Sequence, residues 1–281
     1  DEHSQWRIIS LKEIQDLMDV ASENLTDPLD LTFKLACPGF DRGRMDIDAW
    51  KAVATGGYAR IGLEQCFHKF VPNGKTESLT RGSDKNYDNT FDKNYEFPYK
   101  GDQLQTFADR EDYKRHMAKY FCMDVRGMHG YIYQKQNVTK PGTYVIECKG
   151  YSNTPKAQLF AGVAGKDGQG MGLFDGSKRT AMLSQVSHMT EAEKNRLHVA
   201  EQNMDYAGKE FYETNNYINS VTIDVTKEMI SQAGPDGACI ALGLYIGNPN
   251  NPSDTPDADE WTVFDEFRVL YASNVKGKDL V

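Results

Sequence analysis

Nowhere in its 281 residues does the chain carry an apolar run approaching the ~20 residues that span a bilayer. It opens on DEHSQW, without a basic-then-apolar leader, which leaves either a cytosolic protein or one whose export signal has been removed. Clustered positive charge is missing as well. The formal net charge is −9, and no stretch gathers Lys and Arg on one side of a predicted element, so a phosphate backbone is repelled and nucleic acid is not an expected partner. The five cysteines, Cys37, Cys66, Cys122, Cys148 and Cys239, are odd in number and contain no C-x-x-C pair that would signal zinc or a redox couple. Most sit in apolar strand-like runs, which favours buried free thiols over one or two disulfides and leaves the compartment open. Catalytic signatures are also lacking. There is no G-x-S-x-G and no HExxH, and the histidines show no i, i+4 pair. The glycine-rich run Gly165 to Gly176 lacks the ending of a phosphate-binding loop and reads as a flexible connection that could shape the rim of a binding surface.

Aromatic residues are plentiful, with 15 Tyr, 13 Phe and 3 Trp, and they suit strands better than helical bundles. Period-two alternation recurs along the chain. LDLTFKLA sets Leu31, Phe33 and Leu35 against polar neighbours and stops at Pro38-Gly39. Further strands are expected in AWKAVATGG, YARIGLEQCFHKF, GYIYQKQNV, GTYVIECKGYS, AQLFAGVA, NSVTIDVT, ACIALGLYIG and WTVFDEFRVLYAS, most of them bounded by Gly, Pro or Asn. Nine strands without helical crossovers predict an all-β fold, an antiparallel β-sandwich, rather than a parallel α/β sheet.

Helical signals are few. Ser10 and Glu13 form a capping box ahead of Leu11, Ile14, Leu17 and Met18, so residues 1–28 read as a helical lead to a sandwich domain over 29–281. Residues 71–125 form a long insertion, polar at first and ending in a short helix near 110–121. A second helical segment, 190–213, opens with the capping box Thr190 and Glu193 and should pack against an edge or end of the sandwich.

Three segments carry a resemblance. LACPGFDRGRMDIDAWKAV resembles the opening strand of jelly-roll carbohydrate-binding modules, with Phe40, Asp41 and Trp50 at their Phe, acidic and Trp positions. MDYAGKEFYETNNYINSVTIDVT is similar to a helix-to-strand passage of uncharacterised surface or secreted proteins of gut anaerobic bacteria. DEWTVFDEFRVLYAS resembles the last strand of those proteins and of galactose-binding-like modules, with Asp265 at the position of their Asp. The resemblance implies a jelly-roll, galactose-binding-like sandwich whose first and last strands pair. It also implies a non-catalytic glycan-binding or adhesion-type module outside the cell, with a lipid-anchored surface location compatible with it. A glycoside hydrolase using paired carboxylates and a partner-docking domain are the alternatives.

Pairing of the first and last strands would bring Asp41 near Asp265, and in the resembling modules this corner often holds a structural calcium ion. Calcium takes six to eight oxygens, for which Asp41, Asp46, Asp48, Asp265 and nearby carbonyls are the candidates. Without a metal, Asp41 caps a turn and Asp265 bonds loop amides. The acidic stretch Asp254, Asp257, Asp259 and Glu260 reads as a solvated loop. Trp50 and Trp261 belong to strand motifs and are expected in the core. Tyr87, Tyr95 and Tyr99 cannot all be buried by so hydrophilic an insertion, and with Arg81, Asn86 and Asp88 they form the candidate ligand surface. An ordered lid held by its own aromatics is the competing reading of the same residues. A calcium ion at Asp41 and Asp265 would raise the melting temperature on Ca²⁺ addition, and Asp265→Asn would abolish that rise; a melt unchanged by Ca²⁺ removes the site.

Overall fold

The computed structural model describes residues 28–40, 50–55, 64–70, 76–79, 122–166 and 170–272. In chain order its strands are β1 (Leu29–Asp30), β2 (Lys51–Thr55), β3 (Glu64–Phe70), β4 (Thr76–Leu79), β5 (Cys122–Arg126), β6 (His129–Val138), β7 (Gly142–Ser152), β8 (Ala157–Gly165), β9 (Arg179–Met182), β10 (Ser184–Gln185), β11 (Ile218–Val225), β12 (Ala238–Ile246) and β13 (Trp261–Ala272). Helices α1 (Glu191–Arg196) and α2 (Met204–Glu213) lie between β10 and β11, and α3 (Lys227–Gln232) follows β11.

The strands form two sheets of an antiparallel jelly-roll sandwich. The larger runs β10-β7-β13-β5-β3-β4, with β1 also on β13 and β11 also on β7; the smaller runs β2-β6-β12-β8-β9. All pairings are antiparallel except the short β10–β7 contact. As the sequence implies, the first and last strands pair, Leu29 opposite Tyr271 and Asp30 opposite Leu270. The core between the sheets follows from alternation. Tyr144, Ile146 and Cys148 of β7, Leu159, Ala161 and Val163 of β8, and Ile240, Leu242 and Leu244 of β12 all turn inward, each at most 2% exposed.

The expected strand over LDLTFKLA is much shorter. Pairing stops after Asp30, and a 3-10 turn takes Thr32–Lys34. Polar side chains compete with the ladder here: the Asp30 carboxylate accepts the Thr32 N–H at 2.8 Å, and the Thr32 hydroxyl accepts the Val269 N–H at 3.1 Å. Leu31 and Leu35 stay buried, but Phe33 is turned out, 57% exposed. The chain then crosses the gap between the layers. The Gln134 amide donates to the Ala36 carbonyl and accepts the Ala36 N–H, both at 3.1 Å, while the Pro38 carbonyl accepts the Phe267 N–H at 3.0 Å. Phe40 and Trp50 complete an aromatic cluster with Phe264 and Phe267, the Trp50 and Phe267 rings 4.5 Å apart. Trp50 and Trp261 are both core residues, at 4% and 0% exposure.

Strands β4, β5, β9 and β10 go beyond the nine expected, as does α3, capped by the Thr226 hydroxyl on the Met229 N–H. The Thr190–Glu193 capping box forms as read from the sequence, and α2 packs on β3, β5 and β13. Together α1, the turn after it and α2 cover part of the outer face of the larger sheet, burying Leu197, Met204 and Phe211 against Tyr151, Trp261 and Val263. Lys149 of β7 fastens this layer. Its ammonium donates to the carbonyls of Phe211 and Thr214 at the end of α2 and pairs with Glu266 at 2.7 Å. The N-terminal helix and the helix near 110–121 lie outside the described residues.

Cys37, Cys122, Cys148 and Cys239 are free thiols. Burial pushes the Cys148 thiol far above its ordinary range, helped by the carboxylates of Asp265 and Glu147, so it should stay inert in the native protein. Iodoacetamide at pH 8 is expected to leave Cys148 unmodified until guanidinium unfolds the chain, as peptide mass spectrometry would reveal; labelling of Cys148 in the native state would contradict its burial. Gly243 offers a second check. A Cβ there would lie 1.9 Å from the Ile132 carbonyl oxygen of the adjacent strand. Gly243→Ala should therefore cost about 1–3 kcal/mol in denaturant titration.

Candidate functional site

The helices cover part of the larger sheet, and the outer face of the five-stranded sheet carries no helix among the described residues. Alternation decides which side chains that face presents. Ile132, Leu159, Leu244 and Ala181 point into the core, so Tyr131, Tyr133, Phe160, Tyr245, Gln158 and Met182 point out. Register then aligns one row across all five strands: Val53 opposite Tyr131, Tyr131 opposite Tyr245, Tyr245 opposite Gln158, and Gln158 opposite Met182. Val53 and Met182 are exposed at the flanks, Tyr131 and Gln158 are half-buried, and Tyr245 forms the floor. The Tyr131 and Tyr245 rings stack at 4.4 Å, and Tyr131 meets Phe160 edge-on at 5.7 Å.

One end of this face is roofed by the glycine-rich run. Its part from Gly170 onward is docked and not a loose connection: Leu173 bridges to Ala164, the Phe174 N–H donates to the Val163 carbonyl at 2.7 Å, and the Ser177 hydroxyl donates to the Phe174 carbonyl at 2.7 Å. Leu173 lies directly on β8 because residue 162 is glycine; a Cβ there would come within 2.9 Å of the leucine side chain. Behind it, Lys178 places its ammonium over three rings, 5.3 Å from Tyr131 and 5.5 Å from both Phe160 and Tyr245. Burial lowers the Lys178 pKa from its usual value and raises those of Tyr131 and Tyr245, the last also through Tyr131 and Asp254.

The other end is closed by the loop before β13, which is less solvated than its composition suggests. Glu260 is buried, its carboxylate 2.7 Å from His129 Nε2 and 2.8 Å from Lys156 Nζ; Asp254 reaches the same Lys156 at 3.0 Å and takes His129 Nδ1 on its backbone carbonyl at 3.1 Å. Asp257 and Asp259 remain exposed. The hydrogen bonds to Glu260 and Asp254 raise the Lys156 pKa. The two carboxylates that converge here share one ammonium, which occupies the space a scissile bond would need between an acid and a base.

Asp265 lies in the opposite sheet, 1% exposed, where its carboxylate accepts the Glu266 N–H at 2.7 Å. Asp41, the other half of the calcium corner, lies outside the described residues, as do Arg81, Asn86, Asp88, Tyr87, Tyr95 and Tyr99. Sequence reasoning passed over Tyr131, Gln158 and Lys178. The signal was present in GYIYQ, whose alternation puts two tyrosines on the side opposite Ile132, but it matches that of any half-buried strand.

Among the described residues, no helix is long and apolar enough to cross a membrane, and no group of three or more His, Cys, Asp or Glu side chains is placed to hold a metal ion. No protein-family model and no curated protein matches the chain. Among solved structures, the carbohydrate-binding module TmCBM61 in complex with β-1,4-galactotriose is similar to this chain with a TM-score of 0.34 and 10% identity, over 85% of this chain and 97% of that one. A second carbohydrate-binding module structure, of CBM4, is similar with a TM-score of 0.29 and 11% identity, over 53% and 70% of the two chains.

Proposed function

We propose that the protein is a non-catalytic glycan-binding module whose ligand lies across the outer face of the five-stranded sheet, on Tyr131. The observation that carries this reading is the row Val53, Tyr131, Tyr245, Gln158 and Met182. Sugars present apolar C–H faces that stack on rings, and hydroxyls that exchange hydrogen bonds with amides. The row offers both, a half-buried tyrosine ring backed by a second ring and a half-buried glutamine amide two strands away. Four strand spacings of ~4.8 Å separate Val53 from Met182, about 19 Å in all, enough for a short oligosaccharide lying flat.

A face five strands wide suits binding of a chain. The convergent carboxylates Asp254 and Glu260 are held by Lys156 and His129, so neither is poised as a free acid or base. The module acts outside the cell in this reading, as the resemblance of its strand motifs implies.

A glycan array spanning plant, mucin and microbial structures tests the proposal. Wild type should bind at least one class, and Tyr131→Ala should weaken that binding about tenfold or more, with Gln158→Ala intermediate and both variants melting close to wild type. Silence of the wild type across the array, or undiminished binding by Tyr131→Ala, would overturn it.

A further inference from the structure

The chain carries 41 Asp and Glu residues, yet the five-stranded sheet contains none: KAVAT, HGYIYQKQNV, ACIALGLYI, AQLFAGVAG and RTAM are free of carboxylates. Strand propensity does not account for this, since every strand of the other sheet except β10 carries at least one. The carboxylate-free sheet does carry cations on its outer face. Lys51 stands opposite Tyr133, Lys135 follows it two residues along β6, and Lys178 leans over Tyr131, Phe160 and Tyr245. In a protein of net charge −9 this is a local reversal of sign.

Lys178 is the informative member. Its ammonium makes no hydrogen bond and no ion pair among the described residues; its partners are the three rings. It is half-buried, and its loss of hydration is reflected in a pKa below that of an ordinary lysine. An ammonium taken out of water without a counter-ion carries an electrostatic cost that an incoming anion would relieve, in surroundings less polar than bulk solvent. The Lys156 ammonium, at the end of the same face, shows the contrast, with two carboxylates of its own.

We infer that the ligand of this face is an acidic glycan, whose carboxylate or sulfate pairs with Lys178 while a sugar ring stacks on Tyr131. This rests on the glycan-binding reading and adds the charge class of the sugar. Lys51 and Lys135, on the same face, extend the preference along a polyanionic chain. The nearby carboxylates, Asp254 and Glu260, are already engaged, both by Lys156 and Glu260 also by His129.

The test uses three probes: an oligogalacturonate, its fully methyl-esterified counterpart, and a sulfated oligosaccharide, each titrated into the full chain at 50 mM and 500 mM NaCl. Binding is expected to one or both acidic probes, to weaken with salt, to fall about tenfold in Lys178→Met, and to be retained in Lys178→Arg. The esterified probe should bind no better to wild type than to Lys178→Met. The carboxylated and sulfated arms tell which anion the site prefers. Equal affinity for acidic and esterified probes, or acidic binding unchanged in Lys178→Met, would overturn the charge assignment and leave glycan binding standing. Binding of only neutral array glycans would do the same, whereas a wild type that binds no glycan removes both. Melting curves of the two Lys178 variants separate lost affinity from lost fold.

Discussion

Strand β13 must satisfy different neighbours along its two edges, and the sandwich is organised around how it does so. β7 pairs with nearly its whole length, while β5 takes the first third of the opposite edge and β1 the end of it. The ladder slips between Asp265 and Arg268, where Glu266 adopts a left-handed conformation with φ 47°. The slip turns both Phe264 and Phe267 inward to meet Phe40 and Trp50, and frees the Phe267 N–H for the Pro38 carbonyl. Asp265 and Lys149 stabilise the irregularity from the outside, one bonding the Glu266 amide and the other its carboxylate.

Lys149 couples this irregularity to the helices. A buried ammonium costs several kcal/mol unless it is paired, and here two carbonyls at the end of α2 and the Glu266 carboxylate supply the partners. The helices are thereby held against Trp261, which is completely buried. Arg126 draws in the intervening turn, donating to the side chain and backbone carbonyl of Gln202 and to Asp124, which also accepts the Trp261 indole N–H. The larger layer is thus engaged in packing around Trp261, while β11 keeps every second residue exposed. The five-stranded layer presents outward tyrosines, an amide and lysines, with Val53 and Met182 at its flanks.

Elements whose identity rests on local pattern were legible in the sequence. β6, β7, β8, β11, β12 and β13 are alternating or continuously apolar runs of eight or more residues, and Thr190 with Glu193 announces α1. Misreadings arose where a distant or competing partner decides. Phe33 is exposed because Asp30 and Thr32 divert the backbone into a turn. Glu260 is buried because His129, 131 residues earlier in the chain, waits for it. The row on the outer face needs the register of five strands drawn from positions 51 to 246, and no window of sequence contains that register. The buried Asn219 shows the same dependence. Its amide accepts the Ser184 N–H and donates to the Gly150 carbonyl where β10 gives way to β11 beside β7, a role that its sequence neighbourhood NNYINSV does not announce.

The antiparallel pair of Leu29 with Tyr271 and Asp30 with Leu270 puts the beginning and end of the described sandwich at one pole. Tension applied between these two points would pull perpendicular to the strands and peel the pairs one after another, instead of shearing a long ladder at once. Under such a load β1 would detach first and act as a mechanical fuse, lengthening the tether while β6, β8 and β12, which carry the open face, remain intact.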